Sequence, residues 1–117
     1  MKNVIIIIIC AISLLYGCGK TNPMSGTSWE SRNAVGLWSY SYCNDGDFAE
    51  VLKFDDEQVH NIITRDGHTY KDKGWYDYSY EKEQGTECVN IYTSDTDVCY
   101  IYGNELRRNH VDLFYKQ

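Results

Sequence analysis

The chain has 117 residues, with 11 Lys or Arg against 17 Asp or Glu, a formal charge of −6 with histidines neutral, and an aromatic fraction of 15%. That length carries one small domain with a proper core and not two. The acidic balance argues against nucleic acid and against electrostatic attachment to anionic lipid, both of which want clustered Lys and Arg; the single basic pair, Arg107-Arg108, reads as a solvated turn or strand edge.

Lys2 precedes an apolar run over residues 4–15, interrupted only by Cys10 and Ser13. Such a run suits the core of a signal peptide, about 7–15 residues, and falls short of the roughly 18 that a membrane span needs. It closes on Leu15-Tyr16-Gly17-Cys18, which places a leucine three positions before a cysteine and a small residue immediately before it. These four residues resemble the lipobox of bacterial lipoproteins, with Tyr16 larger than the residue usual at its position. The resemblance implies a helical signal peptide over residues 1–17, cleavage before Cys18, and lipidation of Cys18 by a diacylglycerol thioether and an N-terminal acyl chain. More than one chain gives stable anchoring where one is marginal. Neither an aspartate nor an acidic run follows Cys18, so the resemblance further implies the periplasmic face of the outer membrane.

Residues 18–32 are rich in Lys, Thr, Asn, Ser and Gly and hold the only proline, Pro23. They are expected to form a flexible tether that sets the body on the order of 20 Å from the bilayer. Trp29 is the exception within them, expected to cap the bottom of the body. Residues 33–117 then show short alternating runs broken by turn chemistry every eight to twelve residues or so, the pattern of an antiparallel meander.

The first strand is expected over residues 37–43, with Trp38, Tyr40 and Tyr42 on one face, and Asn44-Asp45-Gly46-Asp47 turns the chain. The second strand covers residues 48–54 and the third 59–65. Asp66-Gly67 is a strong two-residue hairpin signal because both central residues need positive φ. A longer strand over 69–80 carries a bulge or bend at Gly74, and beyond it Tyr76, Tyr78 and Tyr80 share a face that Trp75 cannot share. Strands over 88–92 and 98–102 follow, then Gly103-Asn104 and a last pair through Leu106 and over 111–115. The fold class is therefore all-β, an up-and-down meander of seven to eight strands, with no helical period of more than two turns in the body.

Several short motifs of this body, Gly36-Leu37-Trp38, Leu52-Lys53-Phe54-Asp55-Asp56, Gly74-Trp75-Tyr76 and a close of Tyr102-Gly103-Asn104-Glu105-Leu106 leading to Leu113-Phe114-Tyr115-Lys116, resemble the small lipocalin-like domains of exported bacterial lipoproteins. The resemblance implies a small barrel or half-barrel with Trp38 lying across its closed end. It implies no single activity, since one fold hosts many functions.

Three cysteines remain after Cys10 leaves with the leader and Cys18 is acylated, namely Cys43, Cys88 and Cys99. An oxidising compartment favours a disulfide. With residues 93–96 as a loop, Ile91 meets Val98 and Val89 meets Tyr100, so Cys99 lies diagonal to Cys88 on one face and this pair is expected ahead of any with Cys43. His60 and His68 lie about five residues apart along their hairpin, roughly 16 Å, and cannot share a metal. The acidic turns lack EF-hand spacing, and Asp and Asn sit in turns for their local hydrogen bonds. No Gly-x-Ser-x-Gly motif is present.

The expectation is a non-enzymatic envelope lipoprotein without metal or cofactor, held at a membrane by its acyl chains and binding an envelope protein or glycan. Tyr42, Tyr92 and His68 are expected to gather at one mouth. The alternatives are an inhibitor or immunity partner of an enzyme that attacks the envelope, and a carrier of a small hydrophobic molecule. An acidic rim repels a fatty-acid carboxylate, which favours the protein or glycan.

Overall fold

The computed structural model describes residues 22–41 and 47–117. Eight antiparallel strands close into a barrel in sequence order: β1 Ser28–Ser31, β2 Phe48–Phe54, β3 Gln58–Arg65, β4 His68–Glu83, β5 Thr86–Tyr92, β6 Asp97–Tyr102, β7 Glu105–Arg108 and β8 Asp112–Lys116. Closure comes from β1 against β8, where Trp29 pairs with Lys116 and Glu30 with Tyr115. A closed sheet leaves no long edge open to another chain.

Side chains alternate across each strand, so one row of every strand fills the barrel. Towards one end those rows supply Trp29, Leu52, Phe54, Val59, Tyr78, Val89, Ile91, Leu106 and Phe114, all buried in one cluster, with Tyr76, Tyr80 and Ile101 packed against it. Phe54 meets Tyr78 edge to face at 4.8 Å. Towards the other end the same rows turn polar, with Glu50, Asn61, Arg108 and Asp112 facing inward. The apolar end is closed by residues 22–27: Met24 is buried in the core, the Gly26 amide donates to the Phe54 carbonyl at 2.9 Å, and the Asn22 amide donates to the Tyr78 hydroxyl.

Two expectations change at this point. Residues from Asn22 onward belong to the barrel, so the part of the tether expected over 18–32 that falls on 22–32 is folded, and β1 lies inside that range. Of the segment expected to be the first strand, residues 37–41 instead end a 3-10 turn, Val35–Leu37, and form a single helical turn, α1, Trp38–Ser41, while residues 42 and 43 lie outside the described residues. The place in the sheet is taken by Ser28–Ser31, whose Trp29 and Ser31 face inward against Leu52 and Glu50 of β2. Trp29 is 2% exposed and its indole N–H donates to Thr27 Oγ1 at 2.8 Å, whereas Trp38 is 66% exposed. The tryptophan at the closed end is therefore Trp29. Leu37 turns inward instead, and with Ala34, Phe48 and Ile63 builds a second small core above the polar end.

The hairpins follow the sequence closely. Asp66 and Gly67 have φ of 52° and 84°, the positive pair that their two-residue turn demands. β4 is the longest strand because its first half pairs only with β3 and its second half only begins to meet β5 at Asp77 opposite Tyr92. A bulge lies next to Gly74, which has φ of 110°, and a second lies nearer the turn. Arg65 faces His68 as expected, but the two bulges bring His60 opposite Trp75 rather than Lys73.

The β5–β6 register settles the cysteines. Val89 pairs with Cys99 and Cys88 pairs with Tyr100, one residue away from the expected match. A slip of one residue moves a side chain to the other face. Cys99 points into the core and Cys88 to the outer wall, both as free thiols, so the expected Cys88–Cys99 disulfide is not formed. Burial pushes the Cys99 thiol up to about 12. Cys43 lies outside the described residues.

Candidate functional site

The polar end of the barrel opens into a cleft of about 340 Å³ between the β3–β4 hairpin and the rim residues Thr93, Asp97 and Asn109. Its base is an ion cluster. Arg108 donates from both terminal nitrogens to Glu50, at 2.7 and 2.8 Å, and from Nε and one terminal nitrogen to Asp112 Oδ2, at 3.0 and 2.6 Å. The Asn61 amide adds a bond to Glu50 Oε2 at 2.9 Å, and Lys73 Nζ lies 3.9 Å from that oxygen. Asp112 Oδ1 accepts the Val35 amide at 2.8 Å, which ties the 3-10 turn down across the barrel.

Burial alone raises the pKa of Glu50, but the hydrogen bonds and charge of Arg108, then Asn61 and Lys73, hold it below the ordinary 4.5. Burial likewise works against the charged Arg108, and its two carboxylate partners outweigh that, so its pKa lies above the usual value. Both charges are thus kept at neutral pH. Arg108 also covers the Phe114 ring at 5.0 Å, which joins the polar layer to the apolar one beneath. Because the carboxylates are engaged by Arg108, this cluster acts as a plug: it fills the barrel and leaves neither Glu50 nor Asp112 free as a general base.

The outer wall over β3, β4 and β5 carries a second feature. Trp75 is 51% exposed and lies flat against the His60 ring, with centroids 4.3 Å apart and an interplanar angle of 6°. His60 Nε2 donates to Asp72 Oδ1 at 2.9 Å, and the Gly74 amide donates to the same oxygen at 2.9 Å. The His60 bond, and then that of Gly74, hold the Asp72 carboxyl below its ordinary range. One strand position pair further along, Asp77 lies between Gln58 on β3 and Tyr92 on β5. Gln58 Nε2 donates to Asp77 Oδ1 at 3.1 Å, and the Tyr92 and Ser79 hydroxyls share a bond of 2.9 Å.

Of the residues expected at the mouth, the structure does not bring Tyr92 and His68 together. Tyr42 lies outside the described residues, as does Cys18. Tyr92 is exposed on the outer wall beside Ser79, not over the opening. His68 is at the tip of the β3–β4 hairpin, nine residues along β4 from the partner of Tyr92, or about 30 Å at roughly 3.3 Å each. The rim is also not simply acidic, since Lys73 and Arg108 line the cleft together with Asp97 and Asp112. Arg108, expected with Arg107 on a solvated turn or strand edge, instead has a side chain only 11% exposed because Glu50 and Asp112 hold it inside the barrel; for this cluster the sequence offers one signal, an acidic residue at the third position of a strand otherwise facing inward with Phe48, Leu52 and Phe54.

No family model matches the chain, and no curated protein or solved structure matches it.

Proposed function

We propose that the chain is a non-enzymatic binding module of the bacterial envelope, anchored by acylation of Cys18 at the periplasmic face of the outer membrane and contacting an envelope protein or glycan through its outer surface. The observation that carries this reading is the self-filled interior. The apolar half is occupied by the protein's own aromatic and aliphatic side chains, and the polar half by the Glu50–Arg108–Asp112 cluster. A site for a hydrophobic cargo is normally a concave, mostly apolar cavity. The open cleft above the plug is lined by charged and amide groups instead, which disfavours carriage of a lipid.

Only three residues stand between Cys18 and Asn22, which is fixed at the closed end of the barrel. Fully extended, that link reaches about 14 Å at most. The closed end therefore faces the bilayer in this reading, and the walls and the open cleft face away from it. Two measurements test it. Cys18→Ser is expected to move the protein from the membrane to the soluble fraction; a variant that still sediments with membranes overturns the anchor. The wild-type protein extracted without denaturation is expected to retain an envelope protein or glycan that Tyr92→Ala loses, and retention that Tyr92→Ala leaves unchanged removes this wall from the account.

A further inference from the structure

Resting on the binding-module reading above, we propose that the outer wall around Trp75 is a binding site for a neutral, hydroxyl-rich glycan. The indole is the platform. One of its faces is covered by His60, and His60 is itself held by Asp72, which the Gly74 amide fixes in turn. A ring locked in this way loses little freedom when a ligand settles on its other face, so the contact is preorganised. The apolar C–H face of a pyranose suits such a ring, whose broad surface is apolar and whose N–H is polar. The Trp75 N–H has no protein acceptor among the described residues.

Hydrogen-bonding groups stand where the hydroxyl edge of the sugar would reach. Asp77 follows Trp75 on the same face of β4, and only its Oδ1 is engaged, by Gln58. Its other oxygen and the side-chain Oε1 of Gln58 accept no hydrogen bond among the described residues and remain as acceptors. Tyr92 lies diagonally across from Trp75, about 7–8 Å away between Cα atoms, within reach of one or two sugar rings. Its hydroxyl and that of Ser79 can each donate and accept. A carboxylate beside an amide and two hydroxyls suits a ligand whose every polar group is both donor and acceptor.

Charge narrows the ligand further. On its own strand the ionised groups on the indole's outer face are Asp72 and Asp77, since Lys73 turns into the cleft towards Glu50, and the cation on the neighbouring outward row, Lys53, lies on the far side of His60. An anionic polysaccharide would be repelled, while a neutral one is not. The patch also offers only two exposed aromatics, Trp75 and Tyr92, separated by polar groups, which is too little apolar surface for the core of a stable protein interface of about 800 Å² per partner.

The test uses the full chain carrying Cys18→Ser, titrated with cellohexaose, maltohexaose and hexa-N-acetylchitohexaose, and with polygalacturonate as the anionic control, read by tryptophan fluorescence and calorimetry. At least one neutral oligosaccharide is expected to bind saturably and to shift the fluorescence. Trp75→Ala is expected to weaken that binding about tenfold or more, Tyr92→Ala to weaken it without unfolding the sheet, Trp75→Phe to restore most of it, and Trp38→Ala to leave it unchanged. Binding that survives Trp75→Ala, or a preference for polygalacturonate, overturns the site. Binding of no neutral oligosaccharide overturns the glycan, and the binding-module reading then stands only if an envelope protein is retained by the wild type and lost with Tyr92→Ala.

Discussion

Glu50 is fully buried in a barrel wall, and its charge survives there because Arg108 meets both of its oxygens. Removing one partner of a buried ion pair leaves the other uncompensated, which costs about 3–5 kcal/mol. Glu50→Gln is expected at the lower end of that range, about 3 kcal/mol in chemical denaturation at neutral pH, because Asp112 still pairs with Arg108. The pH dependence has a definite sign. The folded-state pKa lies below the ordinary 4.5, so the unfolded chain binds the proton first on acidification. The stability that Glu50 contributes is complete above about 4.5 and is lost as the pH falls through the folded value. Wild-type stability should therefore drop more steeply below pH 4.5 than that of Glu50→Gln. Parallel curves for the two proteins would place the proton uptake elsewhere.

At the scale of strands, Trp29 and Trp38 distinguish the observed barrel from the one the sequence suggests. Trp29→Ala is expected to cost about 3–5 kcal/mol, as for a large aromatic lost from a core, and Trp38→Ala less than about 1 kcal/mol. Reversed costs would restore residues 37–43 as the first strand. The sequence made the wrong segment look like that strand for a physical reason: Trp38, Tyr40 and Tyr42 alternate with serines, which is a strand pattern, while Ser28–Ser31 offers a single apolar residue and shows no period. The other seven strands were legible because each joins alternating apolar residues to a turn with positive φ or Asx chemistry, as at Asp66-Gly67.

Register was legible only as far as the first irregularity. Gly74 marked a bulge, but two bulges shift the β3–β4 ladder, and the stack of His60 on Trp75 follows from that shift. The β5–β6 loop hides a one-residue difference that turns Cys88 and Cys99 to opposite faces. Site residues depend on such differences more than strands do, because a side chain's face changes with every residue while the strand's existence does not. Trp75 was visible as the odd aromatic in a run of inward tyrosines. Its partner was not.

For the molecule as a whole, the central claim is that the barrel fills itself, with an apolar plug at the closed end and an ionic plug beneath the open cleft, which under the proposed function leaves binding to the outer surface. Closure is what makes this possible: a small eight-stranded barrel has an interior that its own inward side chains fill. The measurement that tests the claim most directly is native mass spectrometry of the full chain carrying Cys18→Ser, purified from its producing cells without denaturation and compared with the same sample after organic extraction. The account predicts no lipid mass: the polypeptide, alone or with a protein or glycan partner, gives the same masses before and after extraction. A stoichiometric extra mass that extraction removes, identified as a lipid, would contradict it.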